Sequence, residues 1–417
     1  MNSASQSRWT DGSMDARVRR RYAAERRFRL LGLLAIGLSV AFLAFLLVSM
    51  ASKGLSGFTQ TEAKLRIDFP RSDVILDPAT LRGPEAKRAV ASADLESAIN
   101  KSAAGQYGGG ASDLFGPAAA RQLGRDLIAD PSLLSRRADL WLPVAASYDV
   151  AAKDEGLQKA EQVVAAITAK GGLKRSFNAD FLGASDATDP SVVGVWGALK
   201  GSFLTILVTM LLAFPVGVLA AVYLEEFAAR NRWTDLIEVS INNLAAVPSI
   251  IFGLLGLAVF LNFMHLPRSA PLVGGLTLAL MTMPVIVIAG RNAIKSVPPS
   301  IRDAALGVGA SKMQVVFHHV LPLAVPGILT GTIIGMARAL GETAPLLMIG
   351  MRAFIANPPQ GVADPATVLP VQIFLWSDEV GRGFVEKTSA AIIVLLVFML
   401  LMNGLAIYLR NRFERRW

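Results

Sequence analysis

The chain has 417 residues, is 53% hydrophobic and 18% charged, and carries a formal net charge of +9. A mean hydropathy of +0.47 is too high for an ordinary soluble domain, so a membrane protein is the expected class. The absence of cysteine excludes disulfide staples and thiolate metal sites, and three histidines, His265, His318 and His319, are too few for a dedicated multi-histidine metal centre.

Six apolar runs each reach the length of about 20 residues that a helix needs to cross a hydrocarbon layer roughly 30 Å thick. None alternates as barrel strands do. The expectation is an all-α membrane protein with six transmembrane helices and a mixed, mainly helical extracytoplasmic domain between the first two. Residues 1–29 form a basic tail with eight Arg against three acids, and the run 30–50 follows as transmembrane helix 1. "RRFR" before that run and Ser49-Met50-Ala51 at its end resemble a secretory signal. An apolar stretch of about 21 residues exceeds the 7 to 15 of a cleaved signal, so it reads as an uncleaved anchor.

Residues 51–195 are the one long hydrophilic segment, too long for a structureless loop, with 17 Lys and Arg against 18 acids. "AKLRIDFPRSDVIL" alternates like a strand pair broken at Pro70. "EGLQKAEQVVAAITAKGG" sets Leu157, Ala160, Val164 and Ile167 on one helix face and stops at Gly171-Gly172. No motif in the segment points to chemistry, so a structural or docking role is the default.

Five spans fill 196–417, at 199–223, 244–264, 271–289, 323–349 and 390–409. Pro215, Pro248, Pro284 and Pro326 lie inside them and predict bends. Small residues at Gly253/Gly256, Gly274/Gly275 and Gly327/Gly331/Gly335 predict close helix packing. The last eight residues hold four Arg against one acid, and further Lys and Arg gather in 225–242 and 291–322. Positive charge beside spans marks these segments and both termini as cytoplasmic; it points to membrane lipid as the partner and away from nucleic acid.

In the loop 291–322, Pro298-Pro299-Ser300 opens a helix with Asp303 expected in its first turn, where a negative charge suits the helix dipole. Gly307 and Gly309 permit a reversal, and "SKMQVVFHHV" supplies a second helix up to Leu321-Pro322. A protruding helix, turn and helix can fit a groove on a partner. Adjacent His318 and His319 point to different faces and do not readily share an ion. "DAALGVGASKMQVVFHHVLP" resembles the EAA loop of ABC importer permeases: Asp303 in place of the usual Glu, Ala304, Ala305, Gly309, Leu321 and Pro322 fall at the family's spacing, and His319 stands where Ile is usual. The resemblance implies a MetI-like permease core whose loop docks on an ATP-binding subunit dimer. The chain contains no Gly-x-x-x-x-Gly-Lys-Ser/Thr phosphate loop. ATP and Mg are therefore expected on that partner, and this chain is expected to have no cofactor, no metal and no catalytic residue of its own.

"MARALGETAPLLMIG" carries Arg338 and Glu342 four residues apart in an otherwise apolar stretch. Arg338 lies about 24 Å along a helix starting at Pro322, where a charge costs roughly 2.5 to 3.5 kcal/mol at the bilayer centre. The i, i+4 spacing allows an ion pair; pairing lowers the burial cost without itself requiring function, so a pair that merely locks helices remains open on the residues alone. "GILTGTIIGMARALGETAPLLMIG" is similar to the fifth span of the permease subunits (PstA type) of phosphate-specific ABC importers, with support from "EEFAARNRWTDLIEVSINNLAAVPSIIFGLLGLAVF" and "LTLALMTMPVIVIAGRNAIKSVP". The likeness covers about residues 196–417. It implies that Arg338, Glu342 and Thr343 line a translocation pathway in a bacterial plasma (inner) membrane, with a second permease subunit, the ATP-binding dimer and an extracytoplasmic phosphate-binding protein as partners. Lys200 and Arg352 read as interface anchors. The alternative is a permease of the same class for another oxyanion or small solute; an ion-driven carrier would need inverted repeats and several intramembrane acids.

Overall fold

The computed structural model describes residues 12–72, 74–153, 158–352 and 354–413. Leu157, residues 1–11 of the basic tail and residues 414–417 of the C-terminal arginine cluster lie outside the described residues. The chain divides into two units, Met1–Lys53 and Gly54–Trp417.

The first unit is occupied by one helix that begins at Gly12 and continues to Gly57. No proline interrupts it, and its Ala, Arg, Glu and Leu are good helix formers, so residue 30 marks a change of composition but no structural boundary. Leu30, Leu34, Leu38, Phe42 and Phe45 are all exposed on it. A helix apolar on every side is stable only in an apolar surround.

In the second unit, residues 59–183 form a domain around a three-stranded antiparallel sheet of order β2-β1-β3: β1 is Thr59–Asp68, β2 Arg137–Pro143 and β3 Leu173–Phe177. On β1, Ala63, Leu65 and Ile67 are buried while Lys64 and Arg66 face outward. The buried face packs with Ile99 of helix Leu95–Tyr107 and Leu123 and Leu127 of helix Pro117–Ala129. Each such side chain contributes roughly 1.5 to 3 kcal/mol by leaving water. The domain is mixed and mainly helical, but the expected strand after Pro70 is absent. Pro70 sits in a short 3-10 turn, Phe69–Arg71, and no strand follows it before Pro78 among the described residues. The proline removes the donor a ladder needs, so β1 pairs with the distant β2 and β3 instead. Helix Gln158–Ala169 buries Ala160 and Ile167, and the chain then reverses through Gly171 at φ 63°.

The outward sheet face carries exposed ion pairs. Arg66 Nε stands 2.8 Å from Asp139 Oδ1 and Lys64 Nζ 3.1 Å from Oδ2; hydrogen bonds from these two cations, Arg66 foremost, hold the Asp139 carboxyl down at about 2. In full solvent such pairs add little stability. The joint between the domain and the sixth span is different, because there the charges are buried. Lys153 Nζ, 3% exposed, donates to Ser56 O (3.0 Å), Thr59 O (2.6 Å), Asp149 Oδ2 (2.7 Å) and Glu386 Oε2 (3.2 Å). Lys387 Nζ donates to Gly57 O at 2.9 Å and lies 5.2 Å above the Phe181 ring. An aromatic column, Phe58, Phe181, Trp376 and Phe384, fills the space beside it. Trp376 Nε1 donates to Asp186 Oδ1 at 3.0 Å; burial pushes that carboxyl up, against the pull of its hydrogen bonds.

The remainder is a helical bundle. The second span is Trp196–Val222 and widens into a π-helical turn, Tyr223–Phe227. The fourth is Pro271–Lys295, the fifth Leu321–Gly341 and the sixth Arg382–Phe413. Among the described residues, five helices are long and apolar enough to cross a membrane, and six if a bent pair counts as one span. That pair falls where a bend was expected, at Pro248 of the third span 244–264, but the proline divides the helix in two. Helix Arg232–Ala245 ends just before Pro248, and Ser249–Phe263 continues at 101° to it. Pro248 caps the second piece and does not lie inside a helix. The fourth span packs against the second and fifth at backbone distance. A Cβ at Gly275 would stand 2.5 Å from Val208 Cβ, and one at Gly331 2.0 Å from Ala289 Cβ. Between helices in an apolar solvent, such close packing is a main source of cohesion.

Replacing Lys153 with Met leaves Asp149 and Glu386 buried without their cation, at a cost of about 3 to 5 kcal/mol. The expected result is faster amide exchange across Gly54–Asp68 while the fourth and fifth spans keep their protection; unchanged exchange there would show that the aromatic column alone holds the joint.

Candidate functional site

The residues singled out by sequence fall at the two ends of the fifth span. At its C-terminal end the helix does not run on to residue 349 as expected. It stops at Gly341; Glu342 is extended (φ −74°, ψ 127°), Thr343 follows at φ −112°, ψ −46°, and a short helix resumes at Ala344–Met348. Pro345 explains the break, because its ring lacks the N–H that would bond the Gly341 carbonyl four residues back and clashes with that carbonyl. Arg338 and Glu342 are therefore not two positions on one continuous helix. The break nevertheless leaves them in contact, with Arg338 Nε 3.4 Å from Glu342 Oε1.

Burial separates the pair. The Arg338 side chain is 47% exposed and that of Glu342 17%, so the guanidinium stands on an open face of the chain, in line with Thr330, Ile334 and Gly341, which are exposed too. On the adjoining side of the same helix, seven and three residues before Arg338, Gly331 and Gly335 close against Ala289 and Thr282 of the fourth span. Arg338 also occupies the last turn, where a cation suits the helix dipole. With a single long contact to Glu342, most of its five donors remain available for an oxyanion. Lys200 is half-buried in the second span, and Arg352 is exposed beyond the short helix.

At the N-terminal end, the loop forms a helix, Pro299–Gly307, a reversal at Gly309 with φ 88°, and a second helical stretch from Lys312 that passes through a π-helical turn, Val315–Val320, directly into the fifth span at Leu321-Pro322. Ser311 and Gln314 form a reciprocal capping box at the second start. Asp303 is the fifth residue of the first helix, one turn later than expected, so it gains no first-turn benefit. Only Gly309 needs glycine's freedom, since Gly307 is the last residue of an ordinary helix. Ala305 is buried against the bundle, whereas Asp303, Ala304 and Gly309 are exposed beside Leu306, Val308 and Met313. Among the described residues, none covers this apolar tip. His318 and His319 are both exposed, and among the described residues no group of three or more His, Cys, Asp or Glu is placed to hold a metal.

The charged residues around the base of this loop were not singled out from sequence. Glu225 and Glu226 end the second span, Glu238 lies on helix Arg232–Ala245, and Arg291, Lys295 and Arg302 face them. The acids and bases are 50 or more residues apart in the chain, and only the packed bundle brings them together. The signal in the sequence is the pair Glu225-Glu226 at the end of an apolar run, which calls for compensating cations.

Residues 197–416 match the family model for the binding-protein-dependent transport system inner membrane component, and residues 15–162 match a domain of unknown function (DUF3333). A probable ABC transporter permease protein, YqgI of Bacillus subtilis, is 33% identical over 43% of this chain and 65% of its own length. Phosphate transport system permease protein PstA of Yersinia pestis is 31% identical over 51% of this chain and 71% of its own, and PstA 1 of Mycobacterium tuberculosis 35% identical over 37% and 51%. The chain thus spans about half to two thirds of the length of these first curated relatives. Among solved structures, a chain of the inward-facing MetNI methionine ABC transporter matches at a TM-score of 0.42 and 20% identity, covering 53% of this chain and 95% of that one.

Gly309→Val forces a branched residue into left-handed backbone at about 1 to 2 kcal/mol. No atom lies within 4 Å of the added Cβ, so the penalty is conformational alone. Amide exchange over Ala304–Gln314 is expected to quicken by about 5- to 30-fold, with the melting temperature of the whole chain unchanged.

Proposed function

The chain belongs to the family of binding-protein-dependent transport system inner membrane components, and from that we propose that it is the permease subunit of an ATP-driven inorganic phosphate importer. It forms half of a pathway whose other half is a second permease subunit. The observation that carries this reading is Arg338, a half-exposed guanidinium about 24 Å into an apolar helix. Facing lipid it would cost roughly 2.5 to 3.5 kcal/mol. Facing a second subunit across an aqueous path, it keeps its hydration and presents its donors to solute. The relatives named as phosphate transport permeases support phosphate as that solute.

Phosphate carries multiple acceptor oxygens, which suit the planar fork of an arginine. Glu342 competes for the same guanidinium and sets an upper limit on how tightly an anion is held, so the anion can leave. Thr343, at the helix break, offers a hydroxyl beside them. The exposed tip from Leu306 to Met313 docks on the ATP-binding subunit dimer, which holds ATP and Mg; this chain supplies neither cofactor nor catalytic group. The termini are cytoplasmic, the domain 51–195 lies outside, and an extracytoplasmic phosphate-binding protein delivers the anion at the plasma (inner) membrane.

The test is uptake of labelled phosphate into vesicles holding the assembled complex, with sulfate and molybdate as competitors. Losing the charge-assisted contact in Arg338→Gln is expected to lower uptake about 10- to 100-fold, with the ATP-binding subunit still bound. Glu342→Gln is expected to hold phosphate more tightly and turn over more slowly. Full uptake by both variants would remove the assigned pathway.

A further inference from the structure

The first helix of the docking loop has nine residues, too few to stand alone in water, and Ala305 is its one buried residue. What fixes it to the bundle is Arg302. Its Nε and Nη2 donate to Glu226 Oε1 at 3.1 and 2.7 Å, while Nη1 and Nη2 donate to Val297 O (2.7 Å) and Ile294 O (3.0 Å). The latter two carbonyls belong to the end of the fourth span and the turn after it, where helix carbonyls lack intrahelical partners. The Arg302 and Glu226 side chains are 22% and 10% exposed, so the pair is little screened by water.

Glu226 comes from the π-helical turn Tyr223–Phe227, closed by Ala228 N donating to Tyr223 O at 2.8 Å. Its neighbours reach elsewhere. Glu225 meets Arg291 (3.4 Å) and Lys295 (3.6 Å) of the fourth span, and Arg291 is held in turn by Glu238 (2.8 Å). Phe227 lies 5.3 Å from Lys312 Nζ on the second arm of the loop. Three consecutive residues, Glu225, Glu226 and Phe227, therefore touch the fourth span, the loop's first helix and its second arm.

We propose that the π-helical turn Tyr223–Phe227 is the joint that carries displacement of the docking loop into the second, fourth and fifth spans, with Glu226 and Arg302 as its positioning residues. Docking uses the exposed tip, Leu306, Val308 and Met313; transmission uses the base. The two are separable, since a loop loosened at its base still presents the tip.

This inference rests on the reading of the chain as an ATP-coupled permease, and the experiment distinguishes the two. Glu226→Gln and Glu226→Ala are assembled with the ATP-binding subunit and the binding protein, and phosphate moved per ATP hydrolysed is measured beside subunit co-purification. Glu226→Ala is expected to lower that ratio at least 5-fold with co-purification intact, and Glu226→Gln to fall between it and the parent chain, because a neutral amide oxygen still accepts from the guanidinium but lacks the opposing charge. An unchanged ratio in Glu226→Ala, or lost co-purification in both variants, would overturn the joint. Failure of the parent complex to move phosphate would instead count against the transport reading. Amide exchange over Pro299–Gln314 in the chain alone would then decide the joint: at least 5-fold acceleration in Glu226→Ala supports it, and none overturns it.

Discussion

A hydrocarbon layer solvates neither a bare charge nor an unpaired peptide group, and the architecture of residues 196–413 follows from that constraint. Long helices satisfy their own backbone. Where the fifth helix breaks, at Glu342 and Thr343, the same constraint requires the break to face protein or water. An arginine next to such a break costs least where it, too, meets protein or water. The open position of Arg338 and the glycines sealed beside it against the fourth span belong to one solution.

The charged residues divide by surroundings. On the sheet of the 59–183 domain, Arg66, Lys64 and Asp139 lie in solvent and add little to cohesion. Lys153 and Glu386 at the sixth span, and Arg302 with Glu226 at the docking loop, are shielded, and there a lost partner leaves a charge that water cannot reach. Both shielded sets sit at joints between elements that burial alone connects weakly. The bundle thus uses apolar contact along its helices and ionic contact where parts meet at an angle.

Apolar run length made the long helices legible from sequence, and spacing made the protruding loop legible, because both depend on residues close in the chain. Strands β2 and β3 were missed because "RADLWLP" and "LKRSF" are short and are strands only through pairing with β1, 69 or more residues removed in the chain. The break after Gly341 was within reach: Pro345 cannot bond the carbonyl four residues back, yet the apolar character of "APLLMIG" masked it. Pro248 was visible too, but its neighbours do not say whether a proline bends a helix or divides it. The first helix was shortened by reading a change of polarity as a change of structure; arginine favours helix nearly as well as leucine does. Glu226 and Arg302 meet only after three helices have packed, and nothing local pairs them.

The divided third span has a consequence for the lipid around it. Ser249–Phe263 rises only about 22 Å at 1.5 Å per residue, short of a layer roughly 30 Å deep, while Arg232–Ala245 turns off at 101° with Trp233, Leu236 and Ile237 exposed along it. A short apolar wall beside a sideways amphipathic segment obliges neighbouring acyl chains to compress or tilt, at fractions of a kcal/mol per ångström. Acyl-chain length in the surrounding leaflet thereby becomes a mechanical load on this flank of the molecule.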